Sequence, residues 1–501
     1  MKIQYFDRGL AFWQDKKRLT IMLLVPFYSF WPRYETRRAG CPIGLELIAS
    51  ELIAKGFNLI FVDACMSAYN QYTPQEDGTM RYGLTDKQLE NVLTEFNPQI
   101  VGITSMFSNQ AGNVDKVAKL ARQIYPQAII IEGGAHASGD VDDVLKNSNV
   151  DMVIRGEGLK SSLMLCQSVE SNLSSKHSTS VPGLSYKDKI GNIIHNPNIP
   201  FMSSLDELAP RRLEIPLHEM YSTPEHTGGS RFLKSGRHAY ILSSEGCPLK
   251  CDFCYIHTMA GTIRYYSLER LEQEVALLKK AGVNELIVED DMFLADIPRA
   301  MAIGRILKKH NISWFEEGGL SMFKFMKPGD KLTYKDIIDS LSESGCYRYY
   351  MAIESANPES LRKSHKPHIN TQEDLATRII NYTAHKNVEA VGGFMLGFKN
   401  NGFEESLEDM KRTVAYAKTL KEAGLAYAML FIYTAIPGTN VYKSLKSVFP
   451  DYDLRTSHER AAFPVGGLTP NQLTELRRQW MWEVNGQSCM DIAEETNNWG
   501  L

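Results

Sequence analysis

Three cysteines stand in one short run, Ser244-Glu-Gly-Cys-Pro-Leu-Lys-Cys-Asp-Phe-Cys-Tyr255, at the spacing C-x3-C-x2-C. Thiolates are the usual ligands of iron–sulfur clusters. A tight loop presenting Cys247, Cys251 and Cys254 with no fourth cysteine suits a four-iron four-sulfur (4Fe-4S) cluster with one iron left open for chemistry. The alternative is a structural zinc site closed by His257 at C-x2-H spacing, since zinc favours four-ligand sites of this composition. The three-then-two spacing is uncommon for zinc, and Phe253 stands beside the last cysteine. His257 otherwise reads as a loop residue near the reaction centre, where histidine suits proton transfer near neutral pH.

Cys41, Cys65, Cys166, Cys346 and Cys489 are scattered, as buried small hydrophobes are. Eight cysteines in 501 residues make no disulfide scaffold, and clustering at metal-ligand spacing points to a reducing cytoplasm. Hydrophobic and charged contents of 43% and 23% are those of an ordinary globular protein, and a length of 501 residues suggests two large domains plus an appendage. A net charge of −4 argues against nucleic acid or an anionic membrane as partner. The start, Met1 to Leu10, lacks a signal-peptide layout, and no apolar run reaches membrane-spanning length.

The elements that position the cysteines follow from periodicity. Residues 237–440 begin with a strand, His238-Ala-Tyr-Ile-Leu-Ser243, that delivers the cysteine loop. Ser267 is a helix N-cap, and Leu268, Leu271, Val275 and Leu278 line one face of a helix ended by Gly282. Strands are expected at 285–288, 314–315, 349–353, 390–396 and 427–432, with helices near 297–309, 334–345, 372–386 and 405–423. Six β/α units from one strand-loop-helix start resemble the partial TIM barrel of the radical S-adenosylmethionine enzymes, and a barrel puts its chemistry at the carboxyl ends of its strands. Residues 1–168 alternate strands (18–26, 58–63, 100–105, 128–132, 151–155) with helices (42–55, 87–95, 113–125), the pattern of a parallel, doubly wound Rossmann-like or flavodoxin-like sheet. Residues 169–236 read as a linker carrying a small hairpin near Gly191. Residues 441–501 read as a helical tail with an amphipathic helix near 471–483.

These segments resemble the cobalamin (B12)-dependent radical S-adenosylmethionine (SAM) enzymes over about residues 18–440. The resemblance implies that the open iron chelates SAM and that reduction splits SAM to a 5′-deoxyadenosyl radical. Glu289-Asp-Asp-Met-Phe293 is similar to the acidic strand end of that family, so Glu289, Asp290 and Asp291 are expected at SAM. Glu354 and Ser355 in Ala352-Ile-Glu-Ser-Ala356 resemble its "GIES" segment, which reaches the ribose and amino-acid part of SAM. Ala352 and Ala356 depart from the usual glycine or serine. For the acids, the structural alternatives are a salt bridge at Glu354 and helix capping at Asp290 and Asp291. Lys366 and Gly392-Gly393 also match family positions.

Upstream, Cys41-Pro-Ile-Gly-Leu45, Gly102-Ile-Thr-Ser105, Gly133-Gly-Ala-His136 and Arg155-Gly-Glu-Gly158 resemble the family's cobalamin-binding domain. This places Gly102, Ser105, Met106, Gly133, Gly134, His136, Gly156 and Glu157 at cobalamin, with the glycines letting backbone approach the cofactor. The D-x-H-x-x-G motif that supplies a histidine to cobalt is absent.

The resemblance implies a methyltransferase that places methyl on an unactivated carbon of a small metabolite, using methylcobalamin and an external electron donor of flavodoxin or ferredoxin type. Tyr265 and His257 are the catalytic candidates, and Tyr265, Tyr266 and Tyr349 are candidates to line the substrate pocket. The rivals are a B12-dependent cyclase or ring-rearrangement enzyme, more distantly a methylthiotransferase, and, from another class, a zinc-stabilised binding module.

Overall fold

The protein is described from a computed structural model covering residues 4–6, 9–13, 18–32, 40–147, 149–171, 180–208, 220–221, 233–234, 237–326, 332–366, 374–400 and 402–486. The chain divides into two compact units, one of Met1–Pro32, Arg37–Phe232 and Thr258–Ala260, the other of Arg33–Thr36, Leu233–His257 and Gly261–Leu501.

In the first unit, Thr20–Val25, Asn58–Asp63, Ile100–Thr104, Ile129–Gly133 and Met152–Ile154 form the parallel centre of a nine-stranded sheet. Their spatial order is second, first, third, fourth, fifth, the flavodoxin variant of the doubly wound class. Such strands are covered on both faces, so they read as unbroken apolar runs, and Asn58–Asp63 is buried along its whole length. Met22, Leu24, Ile60, Val101, Ile103 and Ile130 meet Leu89 and Leu93 of the helix Asp86–Thr94 and Val114 and Val117 of Ala111–Ile124 in one core.

Both edges of this sheet are antiparallel. Leu10–Trp13 pairs with Asn58–Asp63, and Gln4–Phe6 lies beyond it. On the other side, Leu184–Lys187 pairs with Met152–Ile154, and Ile193–His195 pairs with Leu184–Lys187. The turn between these last two contains Gly191 at φ +91°. The hairpin expected near Gly191 is thus part of this sheet, held by ladder hydrogen bonds. The polar stretch 172–179 lies outside the described residues. A separate three-stranded sheet, Tyr28–Phe30, Met80–Tyr82 and Tyr72–Pro74, was not foreseen in the loops it occupies.

In the second unit, His238–Ile241, Glu285–Val288, Ser313–Ser321, Cys346–Glu354, Glu389–Leu396 and Tyr427–Ile432 pair in chain order, all parallel. The first and sixth strands are the edges, so this is an open, partial barrel. Leu268–Lys280, Ile297–Lys309, Tyr334–Glu343, Leu375–His385 and Leu407–Glu422 are its main helices. Ser267, Asp296, Thr333 and Ser406 cap four of them with side-chain oxygens. The third strand is longer than its apolar core, Trp314-Phe315, suggests. Its register shifts between Glu316 and Leu320, and this bulge carries Glu317, Gly318 and Gly319. A side chain at Gly318 would lie 2.1 Å from the Asp290 carbonyl oxygen, so the bulge packs directly on the acidic end of the second strand.

The helix Pro470–Asn485 covers the sixth strand. Asn485 Nδ2 donates to the Ala428 carbonyl (2.8 Å), its Oδ1 accepts from the Ala428 N–H (2.9 Å), and Arg477 Nε donates to the Leu430 carbonyl (2.7 Å). Side chains thus satisfy backbone groups that a further strand would otherwise bind. Among the described residues no helix is long and apolar enough to cross a membrane.

Candidate functional site

The cysteine loop follows the first barrel strand. Its base is a two-stranded clasp, Ser244 opposite Tyr265 and Glu245 opposite Arg264, with Arg264 and Glu245 also ion-paired at 3.4 Å. Gly246 enters the loop at φ +88°, and a Cβ there would lie 2.7 Å from the Thr262 carbonyl oxygen, so only glycine fits. Two neighbouring carboxylates hold this entry. Asp290 is buried and accepts from the Ser243 N–H (2.6 Å), the Ser243 hydroxyl (2.5 Å) and the Ser244 hydroxyl (2.6 Å). Asp291 accepts from the Gly246 N–H at 2.7 Å. Neither caps the following helix; Asp296 does that.

Cys251 is buried, and Cys247 and Cys254 are half-buried. The three thiols interact electrostatically with one another and with the ammonium of Lys366. Burial pushes the Cys251 thiol up to about 12, so metal ligation is what would hold it as a thiolate. Among the described residues no three Cys, His, Asp or Glu side chains gather as ligands of a single ion. A four-iron cluster does not require that, because each cysteine binds a different iron. Three thiols grouped on a pre-shaped loop beside a cation fit such a cluster.

The far side of the loop is clamped. The N–H of Asp252 donates to the Ser364 carbonyl at 3.1 Å. Asn400 Nδ2 donates to Asp252 Oδ2 (2.8 Å) and to the Lys363 carbonyl (3.0 Å), and the Tyr433 hydroxyl approaches Asp252 Oδ1 at 3.4 Å. The Phe253 ring meets Phe398 and Tyr433 edge-on at 6.3 and 5.9 Å.

Carboxyl groups gather at the ends of the next strands. Burial raises Glu289 well above its usual range, and the charge of Glu317 from the bulge and a hydrogen bond with it add to this. Glu316 is raised by burial as well, while one of its oxygens accepts from the Gly319 N–H at 2.6 Å. Glu354 ends the fourth strand at φ +70°, a left-handed conformation rare for a residue with a side chain. Its Oε1 lies 2.7 Å from Lys366 Nζ. Ser355 is fully buried; its hydroxyl bonds Thr413 (3.1 Å) and accepts from the Asn357 N–H (3.0 Å), so it shapes the loop after the strand.

The tyrosines separate by strand face. Tyr265 lies in the clasp with the Arg299 guanidinium 4.8 Å from its ring centre. Tyr266 is buried, and its N–H donates to the Ser243 carbonyl. Tyr349 is buried on the helix-covered face, stacked on Phe325 and bonded to Thr383, so it lines no pocket in the barrel interior. Its neighbour Tyr350 lies on the opposite face, over Gly319, with its hydroxyl in the space a side chain at Gly393 would occupy. The side chain of His257, in the short helix Ile256–Met259, lies outside the described residues.

In the first unit the expected residues other than Gly102 lie at the carboxyl ends of the third to fifth parallel strands. The Ser105 N–H donates to the Gly133 carbonyl (2.7 Å), and the Ser105 carbonyl accepts from the His136 N–H (3.0 Å). Gly134 has φ +114°, and a Cβ there would lie 2.7 Å from the Ser105 oxygen, which makes glycine necessary. Met106 and Phe107 are 49% and 60% exposed beyond this junction. His136 is buried with Nδ1 3.1 Å from the Ser108 hydroxyl. The Gly156 N–H donates to the Ser138 hydroxyl at 3.0 Å, and Glu157 precedes the helix Gly158–Ser171. Gly102 sits within its strand against Leu23.

Two family models match the chain in succession, the B12 binding domain over residues 37–161 and the radical SAM superfamily over residues 241–413. The chain belongs to the cobalamin-dependent radical SAM enzymes. The cofactors of this family's two domains are cobalamin in the first and a 4Fe-4S cluster with SAM in the second. A cytidylyl-2-hydroxyethylphosphonate methyltransferase of Streptomyces wedmorensis is 26% identical over 506 residues, covering 95% of this chain and 91% of that protein. An uncharacterized methyltransferase of Pyrococcus horikoshii is also 26% identical, covering 85% of this chain and 83% of its own. Among solved structures, the radical SAM methyltransferase TsrM of Kitasatospora setae with cobalamin and cluster bound superposes with a TM-score of 0.63 at 14% identity, covering 93% of this chain and 85% of that one. At that identity the likeness is one of fold.

Sequence reasoning for this radical SAM enzyme missed Asn400, Tyr350, Glu316 and Glu317. The Glu-Glu-Gly-Gly run was the available signal for the last two, because paired glycines in a strand mark a bulge.

Proposed function

We propose that this enzyme transfers a methyl group to an unactivated carbon of a small molecule in the cytoplasm, drawing electrons from an external flavodoxin- or ferredoxin-type donor. The observation that carries this reading is the order of the two domains together with a methyltransferase relative matched over 95% of the chain. That near-complete match favours methyl transfer over cyclisation. When bound, the cluster, SAM and cobalamin supply the hydrogen-abstracting radical and the methyl group.

In this reading Cys247, Cys251 and Cys254 hold the cluster, and the chain's own side chains position the reactants. Glu354 (paired with Lys366), Asp291, Glu289 and Glu317 are the carboxyl groups offered to the polar parts of SAM. Asp290 and Ser355 hold the loops that present them. Tyr350 fills the barrel interior over Gly393, where it limits the room for substrate. At the first unit, Gly133, Gly134 and Gly156 keep backbone bare at the strand ends, Ser105 and His136 brace that junction, and Met106 offers an apolar surface to the corrin.

The test is anaerobic reconstitution of the full chain with iron, sulfide and hydroxocobalamin. Iron–sulfur absorbance with retained corrin bands is expected, and Cys251→Ala should lose iron while keeping the corrin. In turnover, S-adenosylhomocysteine should appear together with 5′-deoxyadenosine. Stoichiometric zinc without iron would overturn the cluster reading, and 5′-deoxyadenosine without S-adenosylhomocysteine would overturn methyl transfer.

A further inference from the structure

The loop between Cys251 and Cys254 is fixed from outside by segments distant in the chain. Asp252 immediately follows the second cysteine, and two elements far along the chain converge on it. Segment 363–366 supplies the Ser364 carbonyl to its N–H, and Asn400 bridges its carboxylate to the Lys363 carbonyl. Tyr433, from the end of the sixth strand, completes the contact at 3.4 Å. Asn400 itself is constrained. It lies in the hairpin of Lys399–Asn400 and Phe403–Glu404, which the C-terminal segment braces through Lys399 to the Pro464 carbonyl (3.2 Å) and the Gly466 N–H to Glu404 (2.8 Å). The Asn400 side-chain oxygen is buried and has no hydrogen-bond partner among the described residues, so the amide is held by its donors alone.

We propose that Asn400 is a positioning residue for the cluster loop. By holding the Asp252 carboxylate away from the ligating thiolates, it sets the reduction potential of the cluster that the loop carries. Hydrogen bonds and nearby charge are the protein's main means of tuning such potentials, and a carboxylate released toward the cluster disfavours the added electron. A single amide that donates to one oxygen of that carboxylate therefore acts on the cluster through Asp252 without touching it. The proposal rests on the three cysteines being cluster ligands, which the iron content of the parent protein tests separately.

The experiment compares the parent, Asn400→Ala, Asn400→Asp and Tyr433→Phe as reconstituted full-length enzymes. Iron content, circular dichroism, the potential by redox titration, and the electron paramagnetic resonance spectrum with and without SAM are measured. Asn400→Asp is nearly isosteric and sets a second carboxylate against Asp252. With native circular dichroism, its cluster is expected to become about tenfold harder to reduce at fixed poise, equivalent to a lowering of ~59 mV for one electron. Asn400→Ala should shift the potential in the same direction, and Tyr433→Phe less. Loss of iron from Asn400→Asp with native circular dichroism also supports the proposal, since the loop would then no longer hold its cluster. Full iron with unchanged potential and spectra in both Asn400 variants overturns it. So does global unfolding of Asn400→Asp, which would make the residue a determinant of the fold rather than of the loop.

Discussion

Replacing Lys366 with methionine is expected to be among the most damaging single changes in the barrel. Its Nζ lies 2.7 Å from Glu354 Oε1, and each side chain is only 11% exposed. At an effective dielectric of about 20, the attraction across 2.7 Å is about 6 kcal/mol, and most of it offsets the cost of taking both charges out of water. The intact pair therefore contributes little net stability. Removing one partner is different, because the Glu354 carboxylate stays buried without its cation, on a backbone already held at φ +70°. Breaking a buried pair in this way costs about 3–5 kcal/mol. At ~2–4 °C per kcal/mol for units of this size, the melting temperature of Lys366→Met should fall by about 6–20 °C. Burial lowers the Lys366 pKa, but Glu354 and Cys251 raise it further, so the ammonium stays charged and the loss should be level from pH 7 to 9. Thermal unfolding of the cluster-loaded enzyme, followed by circular dichroism, measures it. The double variant Glu354→Gln/Lys366→Met buries no charge and should recover at least ~2 kcal/mol of the loss. The reasoning is refuted if Lys366→Met costs under ~1 kcal/mol, or if the double variant is no better than the single one.

Two further outcomes follow from single side chains. Burial pushes the Asp63 carboxyl up from 3.8 to about 6, partly opposed by the Tyr221 hydroxyl and by the Cys65 and Met66 N–H groups. A raised folded value means the folded state binds a proton that the unfolded chain has released. This contribution is therefore fully present below pH 3.8 and is lost as pH rises to about 6, by about 3 kcal/mol. Urea titrations of the parent and Asp63→Asn should diverge across that window, and parallel curves would show that Asp63 is not the group responsible. Asn485→Leu strands both the N–H and the carbonyl of Ala428, at about 1–3 kcal/mol each. It should lower the unfolding midpoint and raise light scattering through the uncovered strand edge, and a stable, monodisperse variant would contradict this account.

The parts of the enzyme legible in sequence were those whose signal is local. Cys247, Cys251 and Cys254 announce a metal loop by spacing alone. Runs such as Leu286-Ile-Val288 and Phe394-Met-Leu396 mark strands because both their faces are covered. That same double burial hid which face is which, so Tyr349 was expected in a pocket and Tyr350, one residue on, is the side chain lying over Gly319 and Gly393. Asp290 and Ser355 were expected at SAM, and their contacts with Ser243, Ser244 and Thr413 were not legible because these partners are distant in the chain. Leu184–Lys187 and Ile193–His195 looked like a detached hairpin for the same reason: pairing with Met152–Ile154 is a tertiary fact that no short window contains.

The clasp of Ser244–Glu245 with Arg264–Tyr265 bears on how the enzyme acquires its metal. Because the cysteine segment starts and ends at paired residues, the entropy of closing that loop is settled when the barrel folds. In small zinc domains, by contrast, metal uptake and folding are one event. Here strand pairing, rather than the metal, closes the segment that carries the three cysteines.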